Sequence, residues 1–279
     1  MIPIPFEKLW PGGNETAIVT RPVKPTAYAA VGNMIMSQNP SIEQVGFLVP
    51  PRHHSADAGL EMMGGEFCGN AARCAAYVWA RQNGRSKVAL EVSGFSGMVH
   101  VEINKNDVTL LIGNDFIVSQ ENTSHGYLVK LQGIQHLIIS YAHDLVMARD
   151  LLNRHQQQDR HLAAMGIIGV SAIGNTYHIN PYIWVKATNT LIRETGCASG
   201  SIAAALAIER QHHQTDGYRI IQPSGAHYQV QLHKSIAHGH MVSLSGVVRE
   251  LSAVQPIPVF IDERAHDLAN AQPEPSFAV

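Results

Sequence analysis

Two Ala-rich apolar runs stand out against a chain that mostly alternates apolar and polar positions. One follows Cys68 (AARCAAYVWARQNG) and the other follows Cys197 (SIAAALAIERQHH). In both, apolar residues fall on nearly every face of a helical wheel, the signature of a helix buried on all sides. The pattern predicts helices over 70–82 and 199–212, the first closed by Asn83-Gly84. A partly periodic stretch predicts a helix over 24–39 that begins near Pro25. A polar helix over about 143–163 is expected to pack on the outside. Short runs with period-two alternation predict strands at 45–49, 58–63, 88–92, 98–103, 108–112, 127–131, 136–141, 166–173, 177–186, 218–221, 228–232 and 241–247. A further strand is expected over 256–261, and Pro11 to Asn14 and Gly174-Asn175 read as turns. Much of this sheet should be antiparallel with one buried face.

The two helical runs belong to a longer echo. Glu66-Phe67-Cys68-Gly69-Asn70 opens the first and Glu194-Thr195-Gly196-Cys197-Ala198-Ser199-Gly200-Ser201 opens the second, 129 residues on from Cys68 to Cys197. Each helix leads to a strand that ends in Ser-Gly, at Ser93-Gly94 and Ser224-Gly225, 25 and 27 residues past the respective cysteine. Such self-similarity implies two related halves, each offering one thiol. The polar stretch 119–124 is the natural place to divide them.

Composition narrows the class. A chain of 279 residues with 45% hydrophobic content can bury an ample core. A formal net charge of −2 gives no footprint for nucleic acid or a membrane surface. No apolar run reaches the ~20 residues of a membrane span, and the first residues lack a secretory pattern. Three cysteines suit a cytoplasmic protein with reduced thiols rather than a disulfide scaffold. The sixteen histidines include His53-His54, His212-His213 and His238-x-His240, but none has zinc-site spacing with matching ligands, so they read as solvated.

A cysteine at a helix start meets unpaired N–H groups and the positive end of the macrodipole. That setting is expected to lower the thiol pKa of Cys68 and Cys197. The same N–H groups bind carboxylates, and the small residues Gly69, Asn70, Ala198, Ser199 and Gly200 would let one approach. Two facing helix starts could hold an amino acid between two thiols, one taking the α-proton and the other returning a proton to the opposite face. That chemistry needs no cofactor and no metal. Cys74, six residues inside the first helix, reads as core filler. Glu194 suits either a substrate ammonium or the cap of the following helix.

With these residues in view, the chain resembles the diaminopimelate epimerase-like, pyridoxal-phosphate-independent amino-acid racemases. The resemblance spans nearly the whole sequence and rests on PGGN (Pro11 to Asn14), EQVGF (Glu43 to Phe47), EFCGNAARC, ETGCASGS and QPSG (Gln222 to Gly225). Within that family it is most similar to the histidine racemases of staphylopine-type metallophore synthesis. The resemblance implies an α+β fold of two pseudo-symmetric lobes, each a curved mixed sheet wrapped around a central helix, with the site between them. The lobes would span 1–122, with a return strand over 255–263, and 123–254, leaving 264–279 as a flexible tail. It further implies catalytic Cys68 and Cys197, and substrate-binding Asn14, Glu43, Gly69, Asn70, Glu194, Ala198 and Ser199. His136 falls where the family has a Gly-Asn-x-His segment, although here Gln135 precedes it and no Asn follows Gly133. A homodimer acting on a small amino acid is also implied. In diaminopimelate epimerases an arginine follows the glutamate before the second cysteine; here only Thr195-Gly196 separates Glu194 from Cys197. That departure points away from a distal carboxylate and toward histidine. Diaminopimelate or another amino acid remains an alternative substrate, and an amino-acid-binding protein without catalysis is the alternative of a different class.

Overall fold

The chain repeats one pattern twice. Strands Phe6–Trp10 and Thr16–Val19 are followed by helix α1 (Tyr28–Gln38), strands Gln44–Val49 and Ala58–Met62, then helix α2 (Gly69–Asn83). Strands Lys87–Val92, Met98–Asn104 and Asp107–Gly113 complete this set. The second set runs through strands Tyr127–Leu131 and Ile134–Ile139, helix α3 (Leu145–Gln158), strands Ala164–Ile173, Thr176–Val185 and Thr190–Arg193, and helix α4 (Ala198–Glu209). It ends with strands Tyr218–Ile221, His227–Ser235 and Gly239–Val247. This computed structural model describes residues 2–140, 144–174, 176–210, 212, 217–235, 239–251 and 257–259. The expected tail 264–279 and His143 lie outside the described residues.

Apart from a separate two-stranded sheet of Ile2–Ile4 and Ile257–Val259, the described strands form one continuous sheet that closes on itself. Hairpin neighbours pair antiparallel, whereas each helix-containing crossover joins parallel strands. Thr16–Val19 runs parallel to Gln44–Val49 across α1, and Ala58–Met62 parallel to Lys87–Val92 across α2. Ile134–Ile139 runs parallel to Ala164–Ile173 across α3, and Thr176–Val185 parallel to Tyr218–Ile221 across α4. The sheet is therefore mixed, as a parallel connection demands a long crossover. The two sets meet where Asp107–Gly113 pairs antiparallel with Gly239–Val247. Ile2–Ile4 pairs with Ile257–Val259, so the chain's first strand lies beside its last described one.

The two Ala-rich helices are the centres. Every residue of α4 from Ala198 to Leu206 is buried, and α2 buries Gly69 through Ala76 without a break. Small side chains suit helices that strands enclose on several sides, because they let the sheet approach closely. One large cluster packs around both helices, with Cys74 inside it. Two satellites lie outside the sheet. Tyr28, Val31 and Ile35 of α1 pack with Phe47 in one, and Ala148, Leu151 and Leu152 of α3 with Trp184 in the other. Gly84, at φ +62°, ends α2 in the left-handed conformation.

Three local features depart from the sequence reading or add to it. The polar stretch 119–124 lies mostly in a strand, Ile117–Asn122, which pairs with Tyr127–Leu131. Backbone pairing there overrides the polar composition, because the side chains of Ile117–Asn122 stay largely solvated while its backbone is paired. The outer helix stops at Gln158 rather than about 163, since Ala164 already opens a buried strand. His53, His54 and His212 are exposed as expected, but His136 and His155 are buried, on a strand and on the inner face of α3.

Candidate active site

The two cysteines occupy matched positions. Each is itself the N-cap of its central helix, with φ −132° and ψ 108° at Cys68 and φ −135° and ψ 107° at Cys197. Each sulfur accepts from the N–H three residues on: Ala71 at 3.5 Å for Cys68, Gly200 at 3.3 Å for Cys197. The helix starts abut. A Cβ added at Gly69 would lie 3.0 Å from the Cβ of Ala198. Glycine at the head of α2 thus lets the two helix starts come this close.

That space is a cavity of about 50 Å³ open to the centre of a water molecule, several times what one water needs. Both cysteines line it, together with Asn14, Glu43, Gln44, Glu66, Glu194 and Ser199. Met36, Met63, Ile134, Ile183, Val185 and Ile192 form its apolar walls. No lysine, arginine or histidine is among its lining residues.

Each thiol has its own partners. Cys68 donates to Gln44 Oε1 at 2.8 Å. The orientation of that amide is fixed from behind: Gln44 Nε2 donates to Thr16 Oγ1 at 2.7 Å, and Thr16 donates to the Asn14 carbonyl at 2.8 Å. An acceptor facing the sulfur favours the protonated thiol. Cys197 lies 3.7 Å from Ser199 Oγ, and its backbone N–H donates to Gln222 Oε1 at 2.9 Å. Glu194 lies close enough to the Cys197 thiol to raise it.

The expectation of lowered thiol pKa values is overturned. Burial pushes Cys68 far above the ordinary thiol range, and the charge of Glu194 adds to it. Cys197 is raised for the same two reasons in the same order. Helix N–H groups act in the opposite sense at both sulfurs but are outweighed, because desolvating a thiolate costs more than one or two N–H bonds return. Both cysteines are free thiols.

Three carboxylates surround the cavity. Glu194 is pushed up to about 8, first by burial and then by the charge of Glu43. Glu66 is raised by burial, against N–H bonds from Gly64 and from its own backbone. Glu43 is raised by burial as well, held back by its bonds to Thr195. Both Glu43 oxygens are occupied: Thr195 donates its N–H to Oε2 at 2.9 Å and its hydroxyl to Oε1. Glu43 therefore clamps EQVGF to the segment that leads into Cys197.

The turn Pro11 to Asn14 closes over that segment. Asn14 donates its N–H to Thr195 Oγ1 at 2.6 Å. Gly13, at φ +105°, passes so close that a Cβ would lie 2.4 Å from the Thr195 carbonyl oxygen. The Asn14 side chain is 1% exposed and lines the cavity near Glu194, yet neither of its polar atoms makes a hydrogen bond of ordinary geometry to protein. Such an unpartnered buried amide is what a substrate-binding group presents.

Asn70 is placed differently. Its Nδ2 donates to the Gly196 carbonyl at 2.9 Å and its Oδ1 lies 3.0 Å from the Tyr228 hydroxyl. The side chain joins α2 to the Cys197 segment and leaves only its backbone N–H for a ligand. Glu194 is not the cap of α4, because Cys197 holds that position. His136 is fully buried with neither ring nitrogen bonded, and burial holds it down to about 3. It packs under Gly166 and Ile183, behind the cavity wall.

Sequence reasoning passed over Gln44, Glu66, Thr195 and Arg73. The first three sit within the motifs already singled out, so their adjacency to Glu43, Cys68 and Glu194 was the available signal. Arg73 had none. It is fully buried and donates to the carbonyls of Val108 at 3.1 Å, Pro11 at 3.0 Å and Gly246. Its guanidinium stacks 5.1 Å from the Tyr228 ring centre.

Comparison with known proteins adds to this geometry. The family described as the histidine racemase CntK N-terminal domain matches residues 3–253. A histidine racemase of Fusobacterium nucleatum is 29% identical over 238 residues, 79% of this chain and 86% of that protein. A histidine racemase of Staphylococcus aureus is 24% identical over 253 residues, 80% of this chain and 86% of that protein. Among solved structures, a hydroxyproline epimerase from Agrobacterium vitis, with trans-4-hydroxy-L-proline bound, superposes with a TM-score of 0.61 at 14% identity. The match covers 91% of this chain and 92% of that one. A PhzF-family phenazine biosynthesis protein from Bacillus anthracis gives a TM-score of 0.63 at 13% identity over 94% of this chain and all of its own. At such identities the two structures speak to the fold, α+β with a mixed sheet, and to nothing finer.

Proposed function

The chain belongs to the family of the histidine racemase CntK N-terminal domain, and on that footing we propose that it interconverts L- and D-histidine between two thiols. The observation that carries the proposal is the pair of cysteines capping two abutting helices and lining one cavity.

The substrate carboxylate is held at the two helix starts, where N–H groups of residues 69–70 and 198–199 carry the positive ends of both dipoles. Glu194 and the Asn14 amide take the substrate ammonium. This pairing balances the Glu194 charge, which after burial is the second cause that raises both thiols. With that charge balanced, the Cys197 thiol releases its proton to bulk water, leaving one thiolate and one thiol. The Cys197 thiolate then takes the α-proton, and the Cys68 thiol gives its proton to the opposite face of the carbanion. One C–H bond breaks, one forms, and the enzyme is left with the proton on Cys197 and the thiolate on Cys68. The reverse direction restores the first state. In this reading the enzyme needs no cofactor or metal, acts as a cytoplasmic homodimer whose chain divides into two lobes after residue 122, and serves metallophore synthesis.

A distal carboxylate such as that of diaminopimelate finds no basic side chain among the lining residues, which supports histidine over that alternative. The test is racemisation by the purified protein without pyridoxal phosphate, followed by chiral chromatography, with Cys68→Ser and Cys197→Ser alongside. Each variant should lose at least about 1000-fold in turnover. Full turnover in either one overturns the two-thiol reading.

A further inference from the structure

Glu43, Glu66 and Glu194 all line a cavity whose other lining side chains include no cation. Glu43 is bound at both oxygens by Thr195, and Glu194 faces the Cys197 thiol. The Glu66 carboxyl feels the backbone N–H groups of Gly64 and of Glu66 itself, but its Oε2 is shielded from water and makes no hydrogen bond of ordinary geometry. The side chain folds back over Gly64 beside Val185: a Cβ at Gly64 would lie 2.5 Å from Oε2 and 2.4 Å from Val185 Cγ1. This places the oxygen against the apolar wall, where Met63 and Val185 would border a substrate side chain. Glu66 as a residue is half-buried, with Oε2 the shielded atom, and it lies close enough to Cys68 and Glu194 to raise both.

We propose that Glu66 selects the substrate side chain, receiving a cationic or N–H-bearing ring through Oε2, so that the cavity is built for amino acids with a positively chargeable side chain. Three observations converge on it: the unpartnered oxygen, its place on the wall beside Val185, and the absence of any counter-cation among the lining residues. An amino acid brings one ammonium and one carboxylate, and the helix starts balance the carboxylate. The ammonium answers Glu194. A second positive group is then needed opposite Glu66, because a buried carboxylate without a partner is strongly disfavoured. An imidazolium supplies it, with an N–H directed at Oε2. A neutral side chain would leave Oε2 as it stands, and an anionic one would be repelled by all three carboxylates.

This inference rests on the racemase reading, and its test separates the two. Solvent deuterium entry at Cα, kcat and KM are measured for histidine, for 3-(2-thienyl)alanine, a neutral ring of similar shape without N–H groups, and for glutamate. The wild-type protein should favour histidine over thienylalanine by at least about 10-fold in kcat/KM and show no turnover of glutamate. Glu66→Gln should raise the KM for histidine by about 10-fold or more, with the loss falling mainly on KM, and should narrow the preference over thienylalanine. Glu66→Asp, which keeps the charge, should retain most of that preference. If Glu66→Gln does not fold, the wild-type comparison of the two rings decides by itself. Equal use of both rings by the wild type, or an unchanged histidine KM in Glu66→Gln, overturns the role of Glu66 and leaves racemisation intact. Absence of α-proton exchange with every amino acid removes the racemase reading and this inference with it.

Discussion

Replacing Glu194 by glutamine should make the ligand-free protein more stable and less active. The wild-type carboxyl is raised from an ordinary 4.5 to about 8, by burial first and by Glu43 second. Between those two values the folded protein retains a proton that the unfolded chain has released. The folded state is therefore fully favoured at this site below about pH 4.5, and it loses that advantage as pH rises through about 8. Each pH unit in the interval is worth about 1.4 kcal/mol, so the whole site is worth on the order of 3–5 kcal/mol. Glutamine has no proton to lose and keeps the shape. Urea unfolding followed by far-UV circular dichroism, at intervals from pH 5 to pH 9, should show the two proteins converging at the acid end. At the alkaline end the variant should exceed the wild type by a few kcal/mol. His136 and the other buried groups are common to both proteins and largely cancel in the difference. Saturating histidine should flatten the wild-type curve, because its ammonium gives the carboxylate a partner. Parallel curves for the two proteins across the whole range would refute the reasoning, and so would a variant that keeps full racemase activity.

Gly69→Ala places a methyl 3.0 Å from the Ala198 Cβ, a tight contact that pushes the helix starts apart by a few tenths of an ångström. Turnover should fall at least about 10-fold in a steady-state assay, with a stability loss of about 1–3 kcal/mol. Arg73→Met leaves the carbonyls of Val108, Pro11 and Gly246 without their donor; thermal or urea unfolding should show a loss of at least about 3 kcal/mol. His136, held down to about 3 from an ordinary 6.5 by burial, must stay neutral in the folded state. Its contribution is present above about pH 6.5 and is lost as pH falls toward about 3. His136→Met should therefore resist acid unfolding better than the wild type in a pH titration. Gln44→Met removes the acceptor that orients the Cys68 thiol, and kcat should drop about 10- to 100-fold with the fold intact by circular dichroism.

Periodicity alone located both central helices and most strands, because a helix enclosed by sheet must be apolar on every face and a half-buried strand must alternate. The repeat of an acidic residue, a cysteine and a helix start also fixed which two thiols are equivalent, since equal local sequences fold to equal caps. The family motifs carried Asn14, Glu43 and Glu194 to the cavity's edge. What they do there was decided by neighbours remote in the chain. Thr195, 152 residues beyond Glu43, takes both of its oxygens, and Gly196 and Tyr228 take the Asn70 amide. The same holds for the thiol pKa values. A helix start argues for a lowered value, but the direction depends on how much water the rest of the fold removes and how close Glu194 comes. Capping and periodicity are properties of a few consecutive residues and can be read along the chain. Desolvation and the meeting of charges from separate segments exist only once the sheet has closed around both helices.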